Sequence, residues 1–129
     1  MIHVVDTHAL TRYFENLSLL GTDSRALMTH PDSVLVVPTI ALAEARWMIQ
    51  KKQSHVDWDD LISSLEADPR FVVSPLTLDI VALAGPGLEM HDALICATVI
   101  LLRDSGDEDV NLITRDNDIR DSSLVETVW

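Results

Sequence analysis

Two carboxylates follow apolar runs of the kind that form buried strands. Asp6 ends the β-branched run over residues 2–7 and leads directly into a helical pattern. Asp116 comes shortly after a second apolar run over residues 111–114. Runs that are apolar on both faces are typical of parallel strands covered by helices, and ligands bind just outside the carboxyl ends of such strands. The two strand ends could therefore share one acidic cleft.

A third carboxylate, Glu44, lies in a predicted helix over residues 39–52. Residues three and four positions away share a helix face, so Glu44 lies among Ile40, Trp47 and Met48. A lone carboxylate on an apolar face would be buried at a cost, and Arg46 lies off that face. Glu44 then either reaches water or a distant cation from the helix edge, or projects into a cleft shared with other carboxylates and a cation.

Taken singly, the other acidic positions have structural explanations as well. Asp6 could cap the helix that follows it, and Asp92 could complement the dipole of a helix over residues 91–103. Asp116 and Asp118 stand in a turn-forming stretch, where aspartates are frequent for conformational reasons. None of these positions is specific alone.

A cluster of such carboxylates would indicate a divalent cation. Carboxylates forced together repel and raise one another's pKa values unless a metal neutralises them. Oxygen ligands without histidines and cysteines at zinc spacing favour Mg²⁺ or Mn²⁺. His91 is interpreted as a local residue of the helix start. The sequence contains no HExxH, GxSxG, GxGxxG or P-loop pattern, which argues against a zinc protease, a serine hydrolase and a nucleotide cofactor.

Length and composition predict one domain over residues 1–129. The net charge of −12, from 21 acidic and 9 basic residues, argues against a protein that coats nucleic acid. Either a carboxylate cluster that holds divalent cations or an ordinary solvated acidic surface would explain this charge. Cys96 lies in an apolar stretch and is expected to be an inert core thiol in a reducing compartment. With no bilayer-length apolar run and no basic signal start, we expect a soluble, cytoplasmic protein without a membrane partner.

Strands and helices are predicted to alternate along the chain. Turns at Gly21, Pro31 and the sequence Gly85-Pro86-Gly87 separate them. The pattern predicts an α/β fold with a mostly parallel sheet of four or five strands and helices on both faces. Predicted strands cover residues 2–7, 34–37, 71–73, 111–114 and 124–129. Predicted helices cover residues 7–19, 23–28, 39–52, 55–67, 77–84 and 91–103.

The order of four short motifs resembles the PIN-domain ribonucleases, and among them the VapC toxins of bacterial toxin–antitoxin pairs. The motifs are Val-Val-Asp6-Thr7, Ala-Glu44-Ala, His91-Asp92-Ala-Leu-Ile-Cys-Ala-Thr98 and Ile-Thr114-Arg-Asp116-Asn-Asp118. Each is weak by itself, but four in this order on a matching alternation of strands and helices make a fairly specific signal. The resemblance covers nearly the whole chain.

The resemblance implies a PIN-like three-layer sandwich that acts as a metal-dependent endoribonuclease. It implies an acidic quartet around Mg²⁺ or Mn²⁺ that also carries catalysis, made of Asp6, Glu44, Asp92 and Asp116. Asp118 would be an additional candidate ligand. Thr7 and Thr114 would hold a carboxylate or a metal-bound water. The implied partners are an RNA substrate, a second copy of the chain in a homodimer, and a cognate antitoxin whose tail covers the cleft.

The acidic charge argues for a small RNA footprint with few cationic contacts. The candidate phosphate contacts are Arg12, Arg46 and Arg115, with Lys51 or Lys52 as further candidates, and each could equally be a solvated surface cation. Two other functions stay open. One is a PIN-like scaffold that binds RNA or protein without cutting. The other is a Mg²⁺-dependent phosphatase, which would need a second aspartate where His8 stands.

Overall fold

The computed structural model describes residues 1–107 and 109–129, in which strands and helices alternate. Residue 108, in the acidic loop predicted over residues 104–109, lies outside the described residues. The strands are β1 (Ile2–Val5), β2 (Val34–Pro38), β3 (Phe71–Ser74), β4 (Asn111–Ile113) and β5 (Thr127–Val128). The helices are α1 (Thr7–Glu15), α2 (Thr22–Thr29), α3 (Thr39–Gln50), α4 (Trp58–Ala67), α5 (Leu78–Leu83), α6 (Met90–Asp104) and α7 (Asn117–Ser122), and a 3₁₀ turn covers Leu17–Leu19.

The five strands form one sheet in the order β3-β2-β1-β4-β5, and every neighbouring pair is parallel. The predicted α/β fold is thus confirmed, with five strands. From β1 the chain continues to β2 on one side, while β4 lies on the other side. The direction of winding therefore reverses between β1 and β4, and such a switch point opens a crevice at the carboxyl ends of the two strands.

Both faces of the sheet are buried, as the apolar runs predicted. Successive strand residues point to opposite faces. Val4, Val36 and Leu112 pack into one core together with residues of α6 and α7. Val5, Val37 and Ile113 pack into the other core with residues of α1, α2 and α4. The sheet is therefore the middle layer of a three-layer sandwich.

Helix α3 buries a different face from the one expected. The apolar spacing placed Ile40, Trp47 and Met48 towards the core, but the fully buried residues of α3 are Ala41 and Ala45. Trp47 is 52% exposed. Ile40 packs partly against the core, so the prediction fails chiefly at Trp47, which lies on an outer surface.

Two local features differ from the predictions. The helix expected over residues 7–19 ends at Glu15, because the Asn16 side chain accepts a hydrogen bond from Ser18 N–H and starts the 3₁₀ turn. The turn-forming stretch at Asp116 begins the short helix α7, which the sequence analysis missed. That helix buries only Ile119, so it shows no apolar periodicity.

Cys96, on α6, is buried in the core, as predicted for an inert thiol. Burial is the main cause that raises the pKa of its thiol to about 12, so the reactive thiolate is strongly disfavoured. Within the part of the chain that the structure describes, no helix is both long enough and apolar enough to cross a bilayer.

Candidate functional site

The switch point between β1 and β4 fixes Asp6 beside Thr114. The backbone N–H of Asp6 donates to Ile113 O over 3.1 Å, and the N–H of Thr114 donates to Val128 O over 3.0 Å. The hydrogen bonding of the sheet thus continues one residue past the strands. This places the Asp6 side chain in the crevice at the carboxyl end of the sheet.

A single hydroxyl, that of Thr114, connects the carboxylate of Asp6 with the backbone of Asp116. Thr114 Oγ1 donates to Oδ2 of Asp6 over 2.5 Å and accepts the N–H of Asp116 over 3.1 Å. The Asp116 side chain in turn caps α7, since its Oδ1 accepts Ile119 N–H over 2.9 Å. Thr114 is buried, so these bonds are shielded from water and fix the approach of the two aspartates.

Thr7 makes the matching connection on the other side of Asp6. Its N–H donates to Oδ1 of Asp6 over 2.7 Å, so Asp6 does cap α1. Its hydroxyl donates to Oε1 of Glu44 over 3.0 Å. Glu44 Oε2 lies 3.6 Å from Nδ1 of His91 on α6. Glu44 is therefore oriented by contacts from two other helices.

Asp92, in the first turn of α6, completes the group. Burial raises its pKa to about 6, together with the nearby charges of Asp116, Asp6 and Glu44. Burial is also the main cause of the raised pKa values of Asp6 and Glu44. The structure therefore brings all four carboxylates of the predicted quartet within electrostatic reach of one another, from four different elements.

The donor set fits a hard divalent cation, because carboxylate oxygens are the ligands that Mg²⁺ and Mn²⁺ prefer. Among the described residues, however, no three His, Cys, Asp or Glu side chains are arranged so that they could already hold a metal ion. The two observations are compatible, since electrostatic effects extend further than ligation distances. The four carboxylates share a cleft without forming a coordination shell.

Two cavities open from this cleft. One, of about 350 Å³, is lined by Asp6, His8, Arg12, Arg115, Asp116 and Asn117. The other, of about 500 Å³, is mainly apolar and is lined by His8, Ile40, Ala43, Glu44, Trp47, Met48, Gln53, Glu89 and His91. The side chains that sequence analysis assigned to the core of α3 therefore form a wall beside the carboxylates. Glu44 does share their face, but that face borders a cavity.

The remaining candidates divide into two groups. Arg12 and Arg115 line the smaller cavity with Asp6 and Asp116. Arg46 lies outside the lining of both cavities, with its guanidinium 5.1 Å from the ring centroid of Trp58 on α4. Asp118 is exposed in the first turn of α7 and belongs to neither cavity. Lys51 and Lys52 are exposed at the end of α3.

Sequence analysis did not assign His8 and His91 to the site. His8 lines both cavities, and its charge lowers the pKa values of Asp6 and Glu44. His91 on α6 faces Glu44 on the neighbouring helix α3. Both histidines stand within two positions of a candidate aspartate, and that proximity is the signal that could have identified them.

Comparison with known proteins shows which family the chain belongs to. The model of the PIN domain matches residues 3–123. Two solved structures share the fold over nearly the whole chain. VapBC2 from Rickettsia felis, bound to a DNA fragment from its promoter, has a TM-score of 0.61 and 16% identity, with 99% of this chain and 98% of that chain covered. A toxin–antitoxin complex from Klebsiella pneumoniae has a TM-score of 0.63 and 24% identity, with 98% and 96% covered. No curated protein matches the sequence. With nearly all of its length inside the family model, the chain belongs to the PIN domain family.

Proposed function

We propose that this protein is a metal-dependent endoribonuclease and the toxin of a toxin–antitoxin pair. The observation that carries the proposal is the convergence of Asp6, Glu44, Asp92 and Asp116 at the switch point of the sheet. Each comes from a different element, and three of them raise the pKa of the fourth. Such crowding lowers stability, which indicates a function that requires the charges together.

The four carboxylates would hold one or two Mg²⁺ or Mn²⁺ ions. When bound, the cation supplies a Lewis acid that makes water nucleophilic and stabilises charge on the leaving oxygen of a phosphodiester. The protein's own part is positioning. Thr114 and Thr7 hold Asp6 from both sides, so this carboxylate keeps its direction while the exposed end of the cleft admits substrate. We assign the same positioning role to the Thr7 hydroxyl at Glu44.

The assigned partners are RNA, an antitoxin and a second copy of the chain. The two structural neighbours are toxin–antitoxin complexes, and this supports an antitoxin for a chain of the same fold. A basic antitoxin tail would find a complementary cleft, since an arginine binds carboxylates through charge-assisted hydrogen bonds. An exposed apolar surface on α5, formed by Leu78 and Val81, supports self-association.

The test is cleavage of total RNA by the purified protein in Mg²⁺, in Mn²⁺ and in EDTA. We expect fragments with either metal and intact RNA with the chelator. Asp6→Asn should abolish cleavage and keep the fold, because the amide preserves the shape of the side chain but loses the charge that binds the cation. Asp59→Asn, on the exposed first turn of α4, is the matched control and should cut as the wild type does.

A second variant separates the nuclease from a non-cutting scaffold. Glu44→Gln should reduce cleavage and Mn²⁺ binding sharply with little loss of stability. If Glu44 is instead a structural partner of a buried cationic group, the same change should leave Mn²⁺ binding normal and destabilise the fold by about 3–5 kcal/mol. RNA that stays intact in every metal, together with normal RNA binding, would favour the scaffold.

A further inference from the structure

Arg12 and Arg115 form a pair of cations beside the carboxylate cleft. Arg12 lies on α1 and Arg115 follows β4, and both line the cavity that contains Asp6 and Asp116. Among the described residues, neither guanidinium lies in an ion pair. Glu15, on α1, accepts hydrogen bonds from the hydroxyl of Ser54 and the N–H of His55, and its charge also acts on Arg12 without a salt bridge.

The two guanidiniums are close enough to influence each other. Burial and then the charge of Arg115 lower the pKa of Arg12. Like charges held together in a partly closed cavity destabilise the protein unless an anion lies between them. Arginine suits that anion when it is a phosphate, because its planar fork of donors matches phosphate oxygens.

The pair also stands where two cavities join. Besides the cavity of the carboxylates, Arg12, Arg115 and His8 line a second cavity of about 650 Å³, whose other lining residues include Thr11, Ser18 and Gln53. A strand that leaves the carboxylates through this opening passes both arginines, because both line the two cavities. The second cavity is lined by two arginines and one carboxylate, Glu15.

Trp129 holds Arg12 in this place. The guanidinium carbon of Arg12 lies 5.6 Å from the centroid of the Trp129 ring, a cation–π contact. Trp129 directly follows β5, whose Val128 carbonyl accepts the N–H of Thr114. On its other side the ring packs against Gly21, where an added Cβ would meet Trp129 atoms at 2.6 Å. The short strand β5 thus places an aromatic ring under one member of the pair.

We propose that Arg12 and Arg115 form a phosphate-binding subsite for the RNA backbone next to the scissile bond, and that Trp129 is a positioning residue for Arg12. This inference rests on the proposed function, because it assigns the substrate's path at the same cleft. An acidic peptide would also be attracted to two arginines. The adjoining carboxylates disfavour it, whereas a phosphodiester would also be attracted by the divalent cation that these carboxylates are proposed to hold.

Binding of a fluorescein-labelled, 12-nucleotide single-stranded RNA, measured by anisotropy in EDTA, tests the subsite without cleavage. Arg12→Met and Arg115→Met should each weaken binding about tenfold, as expected for one charge-assisted contact. Each should also reduce the slope of log K against log salt by about 0.7. Arg25→Met, an exposed arginine on α2, is the matched control and should bind as the wild type does.

Trp129 is tested by two replacements. Trp129→Leu should weaken RNA binding but leave the salt slope unchanged, because both phosphate contacts are still made, with Arg12 held less firmly. Trp129→Phe keeps an aromatic face and should restore most of the affinity, which a purely structural role for the volume of the ring does not explain. Melting temperatures of the variants show whether each one folds.

The outcomes separate this inference from the proposed function. Wild-type affinity in both arginine variants, no RNA binding by the wild type, or preferential binding of a polyglutamate peptide would each overturn the subsite. RNA cleavage at wild-type KM in Arg12→Met and Arg115→Met would overturn it while the nuclease stands. Weakened RNA binding in the variants of a protein that cuts nothing would keep the subsite and remove the nuclease.

Discussion

At the scale of single residues, Asp92 differs from the other three carboxylates of the cleft. Asp6, Glu44 and Asp116 each accept a hydrogen bond from a neighbouring threonine or backbone N–H. Among the described residues, none donates one to the Asp92 side chain. Its raised pKa, about 6, therefore reflects burial and the charges around it without compensation. Asp92 is the position where charge repulsion in the cleft can be measured most directly.

Asp92→Asn should stabilise the metal-free protein at pH 7.5 by about 1 kcal/mol, a figure that allows for the partial exposure of the side chain. The native pKa of about 6 lies above the ordinary value of 3.8, so the native state binds more protons between these two pH values. The wild type therefore loses stability as the pH rises from about 4 to about 6, and asparagine does not titrate. Urea unfolding in EDTA at pH 4, 5, 6 and 7.5 measures the difference.

The control for this experiment is Asp121→Asn, an exposed position on α7. It should change stability little at any of the four pH values. A gain from Asp92→Asn that is as large at pH 4 as at pH 7.5 would contradict the electrostatic explanation, because at pH 4 the native carboxyl group is almost entirely protonated and carries no charge that the substitution could remove.

The sequence predicted which acidic residues lie in the cleft, but it did not predict the contacts that they and their neighbours make. The acidic residues became candidates because they follow apolar runs or begin helices, and the order of the motifs singled out four of them. The pairing of Arg12 with Trp129 joins positions 117 residues apart and depends on β5, which has two residues. No local pattern in the sequence records such a contact, so only the tertiary structure reveals it.

At the scale of elements, α7 shows how a functional candidate can also be a structural cap. Asp116 accepts Ile119 N–H at the start of this helix, so the structural explanation that the sequence left open does apply. Capping uses one carboxylate oxygen and does not require a charge. Whether Asp116 also holds a cation is a separate question, and the two roles respond differently to substitution.

Asp116→Asn and Asp116→Ala should separate these roles. Asparagine caps a helix about as well as aspartate, so Asp116→Asn should keep the stability of the metal-free protein, whereas Asp116→Ala should lose about 1 kcal/mol relative to it. Both variants should lose Mn²⁺ binding and RNA cleavage, because both lack the charge. Urea unfolding in EDTA and calorimetric titration with Mn²⁺ provide the measurements. Normal Mn²⁺ binding by Asp116→Asn would leave Asp116 as a cap alone.

The elements that sequence analysis predicted correctly are those with long, one-sided or two-sided apolar patterns. The central strands β1 and β2 are apolar except for His3 because both faces are covered, and this pattern is visible without a structure. For helix α3, the apolar pattern predicted the wrong buried face. Trp47 and Met48 line a cavity, and the residues of α3 that are fully buried are alanines, with Leu42 and Ile40 packed partly against the core. Apolar spacing alone does not distinguish a core face from a cavity wall.

At the scale of the whole molecule, the net charge of −12 does not describe how charge is distributed around the cleft. Four acidic groups converge at one edge of the sheet, and two arginines stand beside them. The overall charge disfavours a general attraction to RNA, so RNA binding under the proposed function would depend on a small number of contacts at the cleft. This arrangement suits an enzyme that is selective for a few phosphates in a defined position.

The apolar surface of the molecule predicts its assembly. Helix α5 packs on α6 through Ile80, which is 3% exposed, and this contact leaves Leu78 82% exposed and Val81 48% exposed on the other side. Leu78 and Val81 lie one helical turn apart, so they form a single apolar surface. Adjoining exposed apolar side chains are the kind of surface that partner proteins bury when the patch is large enough. We expect this surface to be buried when two copies of the chain associate.

The double variant Leu78→Glu, Val81→Glu should convert a dimer into a monomer in sedimentation equilibrium at micromolar concentration. A dimer would bring the new charges of the two copies together, and the exposed positions should tolerate glutamate in each monomer. The melting temperature of the wild type should rise with protein concentration, while that of the variant should not. Leu124→Glu, at a position 45% exposed outside α5, is the control and should remain dimeric. A wild type that sediments as a monomer over the same concentrations would show that the α5 surface serves another partner, and the antitoxin would then be the first candidate to test against it.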